Sequence, residues 1–283
     1  MKKAFVSFYV GYEYERMTNL LKESIETFSD KPLIVFTPKD FDLEFLPENW
    51  KPGYIYIYKI LSCSKLLEEF DEVVWLDSDC LVTHNIEKIR DYKIDKFPLL
   101  PRARFYNFVN WPMPFFECRS PHFMGAAKQK VECFDLDFPD VYLQACCMFI
   151  NKDCEPFLRE VLSFFEDFDG ESFFFGDESI INSLFWKYKN SKNLGDVFLC
   201  SHYFSSYIFD SFITLQKAED FPKLFDPSYD GIFPIGTHPN IELNTHNRLK
   251  LIHNNFENIL FFHGTKSYDK HENYLDSLKI YRK

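Results

Sequence analysis

The chain has 283 residues, 46% of them hydrophobic, and a formal net charge of -11 at pH 7. That length suits one α/β domain with elaborations over residues 1–283, and the hydrophobic share guarantees a sizeable core. An acidic surface repels a polyanionic backbone, which excludes nucleic acid as a partner and means that an anionic substrate has to be held by a metal or a local basic cluster.

The 34 Phe and 16 Tyr exceed what a core needs, so part of them is expected to line a cleft or a partner-facing surface. Eight cysteines, at 63, 80, 118, 133, 146, 147, 154 and 200, form neither a C-x-x-C pair nor a compact secreted spacing. Reduced, mostly buried thiols are the expectation. No segment approaches the ~20 apolar residues of a membrane span, so a soluble, cytoplasmic protein is expected, with peripheral membrane contact left open.

In chain order, Lys3 to Val10 reads as a first strand. As a signal peptide it would be broken by Ser7, and it runs into Tyr12-Glu13-Tyr14-Glu15 with no small-residue cleavage site. In RMTNLLKESIETF, Met17, Leu20, Leu21, Ser24, Ile25 and Phe28 share a helical face. PLIVFT and YIYIYKI read as strands, KILSCSKLLEEFDE as a helix, and VVWL as a short strand covered on both faces. This order, strand, helix, strand, strand, helix, strand, is that of a nucleotide-binding α/β half with a mixed, mostly parallel central sheet flanked by helices. Residues 101–124, rich in Pro and aromatics around Trp111, read as a loop or flap. YLQACCMFI follows as a strand, then PFLREVLSFFEDF and GDESIINSLFWKYK as helices, the second with an acidic start. The last third reads as irregular, with a polar patch at His246-Asn247-Arg248, the apolar NILFFHG and a tail that forms a final helix. No repeat and no linker marks a second domain.

The most informative stretch is VVWLDSDCLV, residues 73–82, an apolar run that stops on Asp77 and Asp79. In an extended segment residues two apart point the same way, so a strand ending in Asp-Ser-Asp delivers both carboxylates to one spot at its mouth. Oxygen ligands in such a pair suit Mg²⁺ or Mn²⁺ and leave positions for phosphate oxygens. Asp is also a turn former, and Phe134-Asp135-Leu136-Asp137, in a Pro-bearing polar stretch, reads as a turn. The first pair differs because helix, buried strand and acidic exit together describe the carboxyl end of a parallel strand, where open α/β sheets bind ligands.

Near the chain's end, NILFFHGTKSYDK brings His263, Gly264, Thr265 and Lys266. A neutral imidazole is a good third ligand for Mn²⁺, Gly264 lets the backbone approach a ligand closely, and Lys266 offers a point charge for a phosphate. Asp177 and Glu178 open a predicted helix, where acids also complement the helix dipole and cap free N–H groups. Gln144 to Asn151 reads equally as a core strand.

In this order the segments resemble the GT-A class of nucleotide-sugar glycosyltransferases, most nearly glycosyltransferase family 8, which includes the glycogenins and bacterial lipopolysaccharide galactosyl- and glucosyltransferases. The resemblance is carried by Tyr12 or Tyr14 after the first strand, Lys65-Leu66-Leu67, Asp77-Ser78-Asp79, QACCMFIN, DESIIN and HGTK, spread over nearly the whole chain. It implies a GT-A (Rossmann-like) domain over 1–283, with a nucleotide-binding half at about 1–100 and an acceptor and sugar half at about 101–283. It also implies metal-dependent transfer of a sugar from a nucleotide diphosphate donor, a UDP-sugar, to a hydroxyl acceptor such as a glycan. On that resemblance Asp77 contacts the ribose or the metal, Asp79 and His263 ligate Mn²⁺ or Mg²⁺, and Tyr12 or Tyr14 stacks on uracil. Lys266 and Gly264 hold the diphosphate, Lys65 lies near the ribose or departing phosphate, and Ser78 and Gln144 belong to the donor site. Asp177 and Glu178 lie at the donor sugar as catalytic carboxylates. The chain departs from the family pattern at Glu178 for Gln, Gln144 for Asn, Cys146 for Gly, and Lys266-Ser267-Tyr268 for K-P-W, all of which bear on the sugar pocket and the stereochemical outcome.

Three other readings fit parts of the pattern. A haloacid-dehalogenase-type phosphatase also ends an apolar strand in D-x-D, but there the motif opens the domain, whereas here a complete α/β unit precedes it. A sugar nucleotidyltransferase needs a Gly-rich phosphate loop after its first strand, and FYVGYEYER has only Gly11. A non-catalytic carbohydrate-binding domain would use the aromatics to stack on sugars and would be indifferent to metal.

Overall fold

The computed structural model describes residues 1–42, 55–91, 96–103, 142–166, 177–188, 197–203, 211–217, 256–264 and 275–276. Residues 104–124 of the expected flap, with Trp111, the 134–137 turn, the 246–248 patch, Lys266 and most of the tail lie outside them, whereas the first three flap residues, Pro101–Ala103, form a strand and not a loop. Among the described residues, strands form two sheets of four and six. No described helix is long and apolar enough to cross a membrane.

The first sheet is mixed and mostly parallel. β1 (Lys3–Phe8) runs parallel to β2 (Leu33–Phe36) and to β3 (Glu72–Leu76), and β7 (Cys147–Asn151) joins β3 antiparallel, in the order β2-β1-β3-β7. Alternation along these strands sorts the core into two layers. Ala4, Val6, Phe8, Val73, Trp75, Met148 and Ile150 pack with α2 (Ile57–Leu67), α3 (Glu155–Glu166) and α4 (Asp177–Tyr188). Phe5, Leu76, Cys147 and Phe149 pack with α1 (Tyr12–Phe28) and the second sheet.

That second sheet, which the sequence reading does not anticipate, has the order β4-β10-β9-β8-β5-β6 and is antiparallel except between β5 and β8. Its strands are β4 (Cys80–Val82), β5 (Pro101–Ala103), β6 (Tyr142–Leu143), β8 (Val197–Tyr203), β9 (Ser211–Lys217) and β10 (Ile259–His263). β8 and β9 thus occupy part of the last third, where no regular element is expected from the sequence. β10 buries four consecutive residues, Ile259 to Phe262, because it is covered on both faces.

Tertiary burial outweighs local signals in α1. Its N-cap, Gly11 at φ 86°, supplies no side-chain cap. Glycine in place of a capping side chain costs only about a few tenths of a kcal/mol, whereas fully buried Leu21 and Ile25 contribute roughly 1.5–3 kcal/mol each. The same effect corrects YIYIYKI, which is not a strand. Its alternation of aromatic and β-branched residues imitates one, but Ile57, Tyr58, Ile60, Cys63, Leu66 and Leu67 are buried at helical spacing, and the segment enters α2 at Ile57. YLQACCMFI is likewise not one strand. It breaks after Leu143 and resumes at Cys147, so its halves sit in different sheets.

Asn182 of α4 holds the first half. Its Nδ2 donates to the Leu143 carbonyl at 2.8 Å and its Oδ1 accepts the Leu143 N–H at 2.7 Å, so the side chain completes the strand edge as a neighbouring backbone would. Replacing Asn182 by Ala leaves both buried groups unpaired and is expected to lower stability by roughly 2–4 kcal/mol in urea unfolding. An unchanged midpoint would mean that β6 is held by something else.

Candidate active site

Asp77 and Asp79 lie half-buried at the exit of β3, but their convergence has a different cause from strand alternation. The chain leaves the first sheet at Leu76, turns with the Cys80 N–H donating to the Asp77 carbonyl at 3.0 Å, and enters the second sheet as β4. Neighbouring segments pin this turn. The Asp77 N–H donates to the Cys146 carbonyl at 2.9 Å, and the Gly264 N–H donates to the Asp79 carbonyl at 3.2 Å. Gly264 has φ 78°, a conformation that glycine adopts without a Cβ clash, so the backbone folds onto the acidic turn as β10 ends. His263 pairs with Cys80 in register, which brings its ring to the same spot.

There the His263 Nε2 lies 3.7 Å from Asp77 Oδ2 and 3.6 Å from Asp79 Oδ1. One ligand atom from each of the three residues falls within 4.8 Å of the others, and all three are half-buried. Two carboxylates and an imidazole form a donor set suited to Mn²⁺ or Mg²⁺.

The polar centre of the site is Lys59 on α2, which the sequence reading missed. Its Nζ is 2.8 Å from Asp177 Oδ2 and 3.2 Å from Asp77 Oδ1, and it donates to the Ala145 carbonyl at 2.7 Å. Burial favours the neutral amine, but the Asp177 and Asp77 carboxylates outweigh it and hold the pKa of Lys59 well above the usual lysine range. Burial pushes the Asp177 carboxyl up to about 6, against the pull of Lys59. The Trp75 Nε1–H also donates to Asp77 Oδ1 at 2.7 Å, so one oxygen of Asp77 is committed to the protein while the other faces His263. A lysine in line with the apolar residues of the buried face of α2 was the available signal, since a buried charge needs a buried counter-charge.

The two predicted catalytic carboxylates part company. Asp177 is 2% exposed and ion-paired with Lys59. Glu178 is half-buried, and its Oε2 accepts the Ala145 N–H at 2.8 Å. Between them, Lys59 and Glu178 take both backbone polar groups of Ala145, which explains why the strand is interrupted there. Gln144, 6% exposed, turns its amide to His263 Nδ1 at 3.1 Å.

Tyr12 and Tyr14 follow β1 at the edge where β1 and β3 both end, and they are 69% and 51% exposed. Tyr56, missed from sequence, joins them. Burial, then Asp177, raises the pKa of its hydroxyl, and Tyr14 and Asp77 add to the effect. Ser78 is buried within the acidic turn. Lys65 does not reach the cluster, because its Nζ donates to the Asp40 carbonyl at 2.7 Å between the rings of Phe36 and Phe41. Cys63, Cys80, Cys146, Cys147 and Cys154 are buried thiols outside any disulfide, and burial raises the pKa of Cys63, Cys80 and Cys147 away from the reactive thiolate.

No protein-family model and no curated protein sequence matches the chain. Among solved structures it is similar to the galactosyltransferase LgtC in complex with donor and acceptor sugar analogues, at 16% identity over 64% of this chain and 70% of that one, TM-score 0.39. It is also similar to mouse xyloside xylosyltransferase 1, at 10% identity over 69% and 85%, TM-score 0.43. A third is a glycosyltransferase involved in glycosylation of the major capsid of PBCV-1, at 13% identity over 65% and 77%, TM-score 0.37. Likeness at that level carries no argument about function, which has to come from the side chains.

Lys59→Met removes the cation that Asp77 and Asp177 share. Stranding a buried carboxylate costs about 3–5 kcal/mol, to be read in denaturant unfolding. Adding Asp177→Asn should recover part of the loss; a double variant no more stable than Lys59→Met would show that the pair is not the source.

Proposed function

We propose that the chain is a metal-dependent glycosyltransferase of the GT-A type, a single domain over residues 1–283 that moves a sugar from a UDP-sugar to a hydroxyl acceptor such as a glycan. The observation that carries this reading is the meeting of Asp77, Asp79 and His263 where the parallel strands β1 and β3 end, the edge at which open α/β sheets bind ligands. Among the described residues, Asp77, Asp79, Asp177 and Glu178 bring four carboxylates to this region, and Lys59 is the cation on which two of them meet. That negative surplus favours a divalent cation, Mn²⁺ or Mg²⁺, held by Asp77 Oδ2, Asp79 Oδ1 and His263 Nε2. When bound, such a cation supplies positive charge against the diphosphate that departs from the sugar.

The chain's own groups do the rest. Tyr12 and Tyr14, exposed beside the site, stack on the base, with Tyr56 adding a third aromatic wall. Lys266, two residues past Gly264, neutralises the diphosphate. As the bond from the anomeric carbon to the diphosphate breaks, the sugar becomes oxocarbenium-like, and a carboxylate beside it stabilises that charge or takes the acceptor's proton. We assign this role to Glu178. Asp177, sealed against Lys59, positions the site.

Mn²⁺ is expected to strengthen UDP binding by more than tenfold in calorimetry, because a diphosphate in an acidic protein needs its charge neutralised. Asp79→Asn should abolish that gain while leaving the melting temperature near that of the wild type. Equal UDP affinity with and without chelator would remove the metal centre. Release of phosphate from a phosphomonoester, with no turnover across a panel of nucleotide sugars, would favour the phosphatase reading.

Glu178→Gln keeps an oxygen for the Ala145 N–H and removes only charge. It is expected to lower turnover by roughly a hundredfold with UDP affinity unchanged. Normal turnover with a lower melting temperature would reduce Glu178 to a structural clamp.

A further inference from the structure

A neutral imidazole carries one N–H and one lone pair, so the partner of one ring nitrogen decides what the other can do. In His263, Nε2 faces Asp77 Oδ2 and Asp79 Oδ1, and Nδ1 lies 3.1 Å from Gln144 Nε2. With the Gln144 amide nitrogen donating to Nδ1, the ring proton sits on Nε2 and points at the two carboxylates. That arrangement is favourable without a cation, but it turns no lone pair toward one. A cation at this site needs the Nε2 lone pair, which moves the proton to Nδ1, where only an acceptor suits it. Gln can supply either, since turning its amide over exchanges donor for acceptor with almost no change of shape.

The surroundings hold the backbone that carries that amide in place. Asn182 binds both backbone groups of Leu143, Glu178 and Lys59 bind those of Ala145, and the Gln144 N–H itself donates to the Pro101 carbonyl at 2.8 Å. Gln144 is buried, so its amide is screened from solvent while it serves the ring.

We propose that Gln144 is a positioning residue that selects the tautomer of His263, donating to Nδ1 when the site is free of cation and accepting from Nδ1–H when a cation is bound. This rests on the metal reading of Asp77, Asp79 and His263, and adds to it the residue that makes the imidazole available.

The test uses the full chain without nucleotide. Mn²⁺ binding is read by electron paramagnetic resonance, and the His263 tautomer by nitrogen-15 NMR, with Mg²⁺ as the diamagnetic cation and His263→Ala to identify the signals. Gln144→Met keeps the length and loses both hydrogen-bonding groups; Gln144→Glu accepts only. At mildly alkaline pH, Gln144→Met is expected to weaken Mn²⁺ binding roughly 10- to 100-fold, the usual scale for a residue behind a metal ligand, and Gln144→Glu to stay within a few-fold of the wild type. The wild-type ring should carry its proton on Nε2 without cation and on Nδ1 with Mg²⁺. A proton on Nδ1 without cation overturns the inference, and this measurement needs no variant to fold. Unchanged Mn²⁺ affinity in Gln144→Met, or equal losses in both variants, also overturns it while leaving the metal centre standing. Wild type that binds no Mn²⁺, or Asp79→Asn that binds it equally well, overturns the metal centre and the inference with it.

Discussion

One buried ammonium organises the site. Lys59 brings a full charge into the interior from α2, and it is tolerable there only while Asp177 from α4, Asp77 from the exit of β3 and the Ala145 carbonyl all remain in place. Desolvating a charge costs several kcal/mol, so a partly assembled set of partners is worse than none. Helix, sheet edge and strand break are therefore fixed together. The interruption at Ala145, which looks like a defect in an apolar strand, is the condition for placing Gln144 beside His263.

What the sequence made legible follows from how unambiguous each signal is. An apolar run ending on two aspartates points to one spot whatever the backbone does there, so the meeting of Asp77, Asp79 and His263 was readable even though a turn between sheets, and not strand alternation, brings the acids together. The amphipathic stretches of α1 and α3 were readable for the same reason, each having one face to bury, and α4 was readable from its acidic start. YIYIYKI failed because its local alternation competes with a helical burial pattern that appears only once α2 is packed on the first sheet. Lys59 opens the stretch KILSCSKLLEEFDE, which did read as a helix, yet its role stayed hidden because it depends on a carboxylate far away in the chain, Asp177. The break in YLQACCMFI was hidden in the same way, since its cause lies in Lys59 and Glu178.

The adjacent acids of DESIIN illustrate how little a motif says about the work of each member. Asp177 and Glu178 share a helical turn and the same chemistry, yet one is sealed against a lysine and the other is half-buried on a backbone N–H. Environment, and not identity, separates their roles, as it does for paired carboxylates elsewhere. A reading based on the motif alone gives both the same task.

The site is also assembled almost wholly from distant parts of the chain. Lys59 and Ala145 are 86 residues apart, and Gln144 and His263 are 119 apart. Closing such loops costs entropy before any contact compensates, so interactions of this separation form late. The strands and helices can be largely in place while the acidic turn still lacks its histidine. Cation capture would then report on completion of folding, and a chain arrested one step short would carry near-native secondary structure with no functioning centre.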